Sequence, residues 1–178
     1  MYFCSGKLKS AQYSLILLIM ATITIDEVKR TELAGLFTIS FLGEDDSEFD
    51  KFIKKFKEDA DKKEDLFIVL NALNRMLLES GFLERYFRPE GKYNDHVVAL
   101  PIEKTNIRLY CLRMSDSVLI VGNGGIKKRK TYQEDDNLNG YVIALQQLDK
   151  LLKKEIMSGK VKIEKTKITG IDNTLFEI

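Results

Sequence analysis

The stretch best suited to binding a polyanion is a run of four consecutive cations, Lys127, Lys128, Arg129 and Lys130. It follows the glycine-rich step 122–125, where glycine allows backbone conformations that other residues avoid. On an extended chain, two of the four side chains would point the same way and contact the phosphates of single-stranded RNA. The alternative is an edge strand whose lysines only prevent aggregation.

A second candidate segment, residues 85–93, interleaves cations with aromatic and turn residues, and its cations are Arg85, Arg88 and Lys92. Arginine can hold a phosphate through two parallel hydrogen bonds, and a tyrosine ring offers a flat face to an unpaired base. The alternative is an ordinary helix-to-strand connection, in which the aromatic rings fill the core and the arginines pair with neighbouring glutamates.

Polar residues also interrupt an apolar, strand-like run at 107–114. Period-2 alternation puts Arg108 and Tyr110 on one face of this strand and Arg113 on the other. Charged side chains in a buried strand need partners or a purpose, so we add them to the candidate RNA-binding group. Tyr132, just beyond the cation run, completes this arginine, lysine and tyrosine group, in which tyrosine would stack a base or transfer a proton.

The elements that must position these residues follow from hydrophobic periodicity. The pattern predicts an α+β fold: an N-terminal β-hairpin, two helices, a small antiparallel meander flanked by helices, and a C-terminal helix with a short β tail. Val118–Val121 is apolar on both faces, which is typical of a central, fully covered strand. The predicted strands span 22–28, 36–42, 97–102, 107–114 and 118–121, and the helices follow Ser47, run from Lys63 to Ser80, and run from about Asp135 to Gly159.

Composition narrows the functional classes. A chain of 178 residues with a net charge of +1 is the size of one domain, and its overall charge carries no nucleic-acid signal. Two cysteines and one histidine, His96, give no metal-ligand spacing, and no cofactor motif appears, so we expect neither metal nor cofactor. A magnesium site made of carboxylates alone is the alternative. We interpret His96 as a surface or hydrogen-bonding residue rather than as a catalytic base.

The first residues form a separate question. The apolar run 13–20 is shorter than the roughly 20 residues that span a bilayer. No small-residue cleavage site follows it. We therefore interpret residues 1–19 as an upstream extension of a single domain, 20–178, with no membrane contact and a cytoplasmic location. Secretion is the alternative.

The order of these parts resembles the RelE/HigB-like toxins of the ParE/RelE superfamily, which belong to type II toxin–antitoxin systems. The resemblance covers about residues 65–157. It rests on the arginine-bearing strand 107–113, the apolar strand 118–121, the Ile126-Lys127-Lys128 step and the Ala144-Leu145 pair in the following helix.

This resemblance implies a RelE-like fold and a ribosome-associated, metal-independent mRNA endoribonuclease that binds RNA through a basic sheet face. Its partners would be mRNA on the ribosome and a small cognate antitoxin, with a helix-turn-helix protein expected. In this resemblance Arg108 and Arg113 match the family's basic meander strand, and Lys127 and Lys128 match the step after the apolar strand. Together with the candidates from the basic and aromatic segments, the expected catalytic residues are Arg108, Lys127, Lys128 and Tyr132. The expected RNA-binding residues are Arg85, Arg88, Lys92, Tyr110, Arg113, Arg129 and Lys130. Two alternatives stay open: a non-catalytic module of the same fold that binds a protein or nucleic acid, and a phage-related structural protein.

Overall fold

The computed structural model describes residues 21–90, 94–101, 105–126, 136–172 and 174–178. The chain begins there with the predicted antiparallel hairpin, β1 (Thr22–Arg30) and β2 (Gly35–Phe41). In β1 the buried Ile23 and Ile25 alternate with polar residues, whereas β2 is covered on both faces, with Leu36 in one core cluster and Phe37 and Ile39 in the other. The predicted extension, residues 1–19, lies outside the described residues.

Helix α1 (Glu48–Lys57) starts where the acidic segment after β2 predicts. Ser47 and Asp50 form a reciprocal capping box, which satisfies backbone N–H groups that the first turn leaves without partners. The helical spacing of Phe49, Phe52 and Phe56 predicts one apolar face toward the core. All three side chains are buried, which confirms this prediction. Burial of such a stripe is what holds a short helix on its sheet.

Helix α2 (Lys63–Arg75) continues as one π-helical turn, Met76–Ser80, and ends at Gly81 with a φ of 74°. The positive φ explains the glycine, as predicted. The apolar periodicity of this helix predicts Phe67 on the buried face together with Leu66. For Phe67 this prediction is wrong, because its side chain is 65% exposed. It lies about 100° around the helix from Leu66, which does face the core.

The predicted antiparallel meander is present as β4 (Val97–Pro101), β5 (Ile107–Arg113) and β6 (Val118–Ile126), and a short strand β3 (Arg88–Pro89) pairs with β4. After β6, helix α3 (Asp136–Met157) leads to a small separate hairpin and a last strand that pairs with β1. These final strands are β7 (Lys162–Glu164), β8 (Lys167–Thr169) and β9 (Phe176–Glu177).

The main sheet is larger than the small meander expected from the sequence. It has seven strands in the order β3-β4-β5-β6-β2-β1-β9, because the N-terminal hairpin joins the meander through a parallel β2–β6 pair. Residues of α1 and α2 pack on one face and residues of α3 on the other, so β6 is the covered central strand that its apolar run predicts. Among the described residues, no helix combines the length and apolarity needed to cross a membrane.

The glycine-rich step 122–125 is the continuation of β6 and not a loop. None of its glycines has a positive φ. Their role is close packing: a Cβ on Gly124 would lie 1.9 Å from the Arg108 carbonyl oxygen, and one on Gly125 would lie 2.7 Å from Leu138. The missing side chains therefore let β5 and α3 approach this end of β6.

We expect Gly124→Ala to lower the free energy of unfolding by about 2 kcal/mol, because the new methyl group must push the backbone of β5 away. Gly140→Ala is the matched control. Its Cβ meets nothing within 4 Å, and alanine in a helix is favoured over glycine by about 1 kcal/mol. Urea unfolding of the two variants measures both effects. Equal stability of Gly124→Ala and the wild type would contradict the packing role.

Candidate anion-binding site

A cavity of about 740 Å³ opens where β4 ends and β5 begins, beside the last turn of α2. Four arginines line it: Arg75, Arg85, Arg88 and Arg108. Three of them were predicted from two segments that are separated by about 20 residues of sequence. The structure therefore brings the loop after residue 84 and the middle strand of the meander to one concave surface.

Local structure explains how each arginine reaches the cavity. Arg85 lies in a 3-10 turn, Glu84–Tyr86, that follows the end of α2. Arg88 lies on β3, where its backbone pairs with Ala99 of β4. Between them, the ring of Phe87 is buried in the core and fixes the segment against the sheet. One aromatic ring thus fills the core, while the arginines on either side of it line the cavity.

The cavity carries a clear excess of positive charge. Glu79 is the one carboxylate among the described lining residues, and it lies 3.6 Å from Arg75. Within the part of the chain that the structure describes, neither Arg85, Arg88 nor Arg108 forms an ion pair. Pairing of the arginines with neighbouring glutamates, the alternative interpretation, is therefore not observed for these residues. An anionic ligand would neutralise them.

Tyr86 adds a polarised phenol to the cavity wall. The Arg85 guanidinium donates to its hydroxyl oxygen at 3.2 Å and lies 5.1 Å from its ring centroid. A hydrogen bond with Ser80, and then the one from Arg85, hold the pKa of Tyr86 below its ordinary value of 10.0. A tyrosine hydroxyl can take part in proton transfer, and the ring can contact a base.

Two predicted RNA-binding residues lie away from the cavity. Tyr110 is 1% exposed and packs in the core beneath α3, so its ring has no free face for stacking a base. Arg113 donates from Nε to the Phe82 carbonyl oxygen at 2.7 Å and forms an ion pair with Asp116. It braces the turn between β5 and β6 at the opposite end of the strand.

The remaining predicted site residues lie outside the described part of the chain. Ile126, the residue directly before the cation run, pairs with Ile107 at the end of the sheet that carries the cavity. The undescribed candidates are Lys92, Lys127, Lys128, Arg129, Lys130 and Tyr132.

Sequence reasoning missed Arg75 as a member of the site. Its spacing to Glu79 is that of an ordinary i, i+4 surface pair on a helix. The one signal for Arg75 was its place in the sequence, at the end of the helix that leads into the segment 85–93. Tyr86 belonged to the predicted segment but was not singled out.

His96 belongs to a different cluster, on the face covered by α3. Its Nδ1 lies 2.6 Å from Oδ1 of Asp149, whose side chain is buried, and its backbone N–H donates to Oδ2. Lys153 donates to the same carboxylate at 2.7 Å and to the Asn94 carbonyl oxygen at 2.5 Å. The interpretation of His96 as a hydrogen-bonding residue is confirmed. The cluster fastens the segment before β4 to α3.

Comparison of the chain with protein-family models, with curated proteins and with solved structures found no significant match.

Asp149 should stabilise the fold in a pH-dependent way. Burial alone would raise its pKa, but hydrogen bonds from His96 and Lys153 outweigh this and hold the pKa below 3.8. A lowered pKa contributes stability above the unfolded-state value, and this contribution is lost as the pH falls through the folded-state value. We expect Asp149→Asn to cost about 2 kcal/mol at pH 7, and less in acid.

Urea unfolding at pH 7 and at acidic pH measures this difference. Asp116→Asn is the control, because it removes a carboxylate whose side chain is 63% exposed and should change stability much less. If Asp149→Asn is as stable as the control at pH 7, the cluster does not hold β4 to α3 as described.

Proposed function

We propose that the chain binds single-stranded RNA by holding its phosphates in the arginine-lined cavity. The observation that carries this proposal is the convergence of Arg75, Arg85, Arg88 and Arg108 on one cavity with a single lining carboxylate among the described residues. Guanidinium groups bind phosphate with two parallel hydrogen bonds. The cavity volume of about 740 Å³ lies within the range of small-molecule sites and leaves room for more than a phosphate.

The lining also suits a nucleotide. Besides the arginines, the wall contains the ring of Tyr86 and apolar side chains such as Met76 and Leu100. Unpaired bases stack on aromatic rings, whereas paired bases are hidden within a duplex, so the combination favours single-stranded RNA. Ile126 lies at this end of the sheet, and the four-cation run follows it directly in sequence. These cations would add contacts to further phosphates of the RNA.

We further propose that the protein is a RelE/HigB-like toxin that cleaves mRNA on the ribosome in the cytoplasm. In this reaction the ribose 2′-oxygen forms a bond to the adjacent phosphorus and gives up its proton, while the bond to the 5′-oxygen breaks and that oxygen is protonated. Arg85, Arg88 and Arg108 would neutralise the charge on the phosphorane. Tyr86 joins Lys127, Lys128 and Tyr132 as a candidate for proton transfer.

The expected basic sheet face is replaced by a site at one end of the sheet. Helices cover both faces of the central strands, and the described arginines line a cavity at the end of the sheet. A small antitoxin, for which a helix-turn-helix protein is the expected type, would inhibit the protein by covering this end. A module that binds RNA in the same cavity without cleaving it is the second candidate, since the arginines alone require only binding.

We expect the double variant Arg85→Ala/Arg88→Ala to weaken binding of a fluorescent uridine oligoribonucleotide by about tenfold or more. The reason is that each charge-assisted hydrogen bond to a phosphate contributes about 1.5 kcal/mol or more. The dependence of log K on log salt should also become shallower, by about 0.7 for each phosphate that the variant no longer neutralises. Fluorescence anisotropy at several salt concentrations measures both quantities.

The matched control is Lys162→Ala/Lys167→Ala. It removes two cations from exposed positions on the β7–β8 hairpin, which is a separate sheet. Affinity and salt dependence should stay near those of the wild type. If both double variants weaken binding equally, binding is a general effect of charge and the cavity is not the site.

Cleavage is tested by induced expression in bacteria. A toxin should arrest growth, and primer extension should reveal new transcript ends that disappear with Arg108→Ala. RNA binding in vitro without arrest or new ends would favour the non-catalytic module.

A further inference from the structure

A second cavity, of about 380 Å³, lies at the same end of the sheet. It is placed where the parallel strands β2 and β6 finish and the chain leaves toward α1 on one face and α3 on the other. Such a crevice at the carboxyl ends of neighbouring parallel strands is the usual binding position in open α/β sheets. Small residues keep it open, since Gly122 and Gly140 both line it.

The floor of this cavity is a buried polar group. Glu48 and Asn123 are 4% and 5% exposed. Nδ2 of Asn123 donates to Oε2 of Glu48 at 2.9 Å, while its Oδ1 accepts from the Gly124 backbone N–H at 2.7 Å. Asn123 is thereby fixed in one orientation and in turn fixes the carboxylate. Lys51 donates to the other oxygen of Glu48 and also to Glu44.

The Glu48 carboxylate and the Lys51 ammonium have hydrogen-bonding capacity left for a ligand. A carboxylate has about four acceptor positions, of which Glu48 uses two among the described residues. Lys51 has three donor hydrogens and contacts both Glu48 and Glu44, so one donor can reach a ligand while both ion pairs stay in place. A buried ion pair that is opened on only one side would be far more costly.

The walls are suited to a flat ligand. Two aromatic rings line the cavity, Phe41 on β2 and Tyr141 on α3. The Lys51 ammonium lies 5.5 Å from the centroid of the Phe41 ring, and the Lys55 ammonium lies 5.7 Å from that of Tyr141. Lys55 also donates to the Gly124 carbonyl oxygen at 3.2 Å, next to the residue that pairs with Arg108. Lys55 therefore contacts both α3 and the end of β6.

We propose that the second cavity binds a guanine base of the RNA whose phosphates lie in the arginine-lined cavity. Adjacent N1–H and N2–H donors of guanine match a carboxylate, here Glu48, and O6 beside them matches the Lys51 ammonium. Adenine has an acceptor at N1, and its lone pair would be repelled by the lone pairs of the Glu48 carboxylate. The strands that carry the two cavities, β5 and β2, are two interstrand spacings apart, about 10 Å, within reach of neighbouring nucleotides.

This inference rests on the proposed RNA binding, and the test separates the two. The probes are short fluorescent uridine oligoribonucleotides with one central position replaced by guanosine, adenosine or cytidine. The wild type should bind the guanosine probe about tenfold more tightly than the others. Glu48→Gln replaces one of the two acceptor oxygens with a donor and should remove the preference for guanosine over adenosine and cytidine.

Glu64→Gln is the matched control, since Glu64 is exposed in the first turn of α2 and should keep the preference. Urea unfolding of Glu48→Gln checks that the fold survives, and Asn123→Ser serves as a second variant if it does not. A wild type without guanosine preference, or a preference that persists in the variants, overturns the base site but leaves RNA binding in place. Failure of every probe to bind overturns both proposals.

Discussion

Backbone pairing between β5 and β6 is the interaction on which both cavities depend. It sets Arg108 opposite Gly125, so the guanidinium projects at the end of the sheet. The same register lets the Arg108 carbonyl oxygen approach Gly124 more closely than any side chain would permit. Since β6 is also the strand that pairs in parallel with β2, its position fixes the crevice between α1 and α3. A shift of one residue would reverse every side chain and separate the two cavities.

The charge distribution shows why the net charge of +1 is uninformative. Acidic residues are concentrated around α1, where Lys51 and Lys54 pair with Glu44 and Asp46. The arginines at the ends of α2 and β3 share one lining carboxylate among the described residues. The two charge groups flank the same end of the sheet, one able to hold phosphates and the other able to accept donors from a base. A polyanion with donor-bearing bases matches both.

Local patterns predicted the elements because each has a local cause. The continuous apolar run of Val118–Val121 required cover on both faces, and the phenylalanines of α1 required one core face. The parallel β2–β6 pair had no such signal, because it joins residues about 80 positions apart in sequence. The role of the glycine step 122–125 was predicted wrongly for a related reason. Glycine is used both where φ is positive and where another chain segment approaches closely, and only the position of β5 shows that the second role applies here. The membership of Arg75 and of the Glu48–Asn123 pair likewise depends on long-range packing.

Four arginines that share one lining carboxylate among the described residues repel one another, and folding alone does not explain this cost. Like charges around one cavity repel, and a surface arginine contributes little to stability unless it is paired. A glutamate in place of any one of these arginines, or of an apolar lining residue, would relieve the repulsion. The arrangement is instead built into the turn at 84–86 and into β3, a strand of two residues whose pairing with β4 mainly serves to place Arg88. A bound anion would turn that repulsion into attraction, which is the physical reason for the proposal that this cavity holds a phosphate.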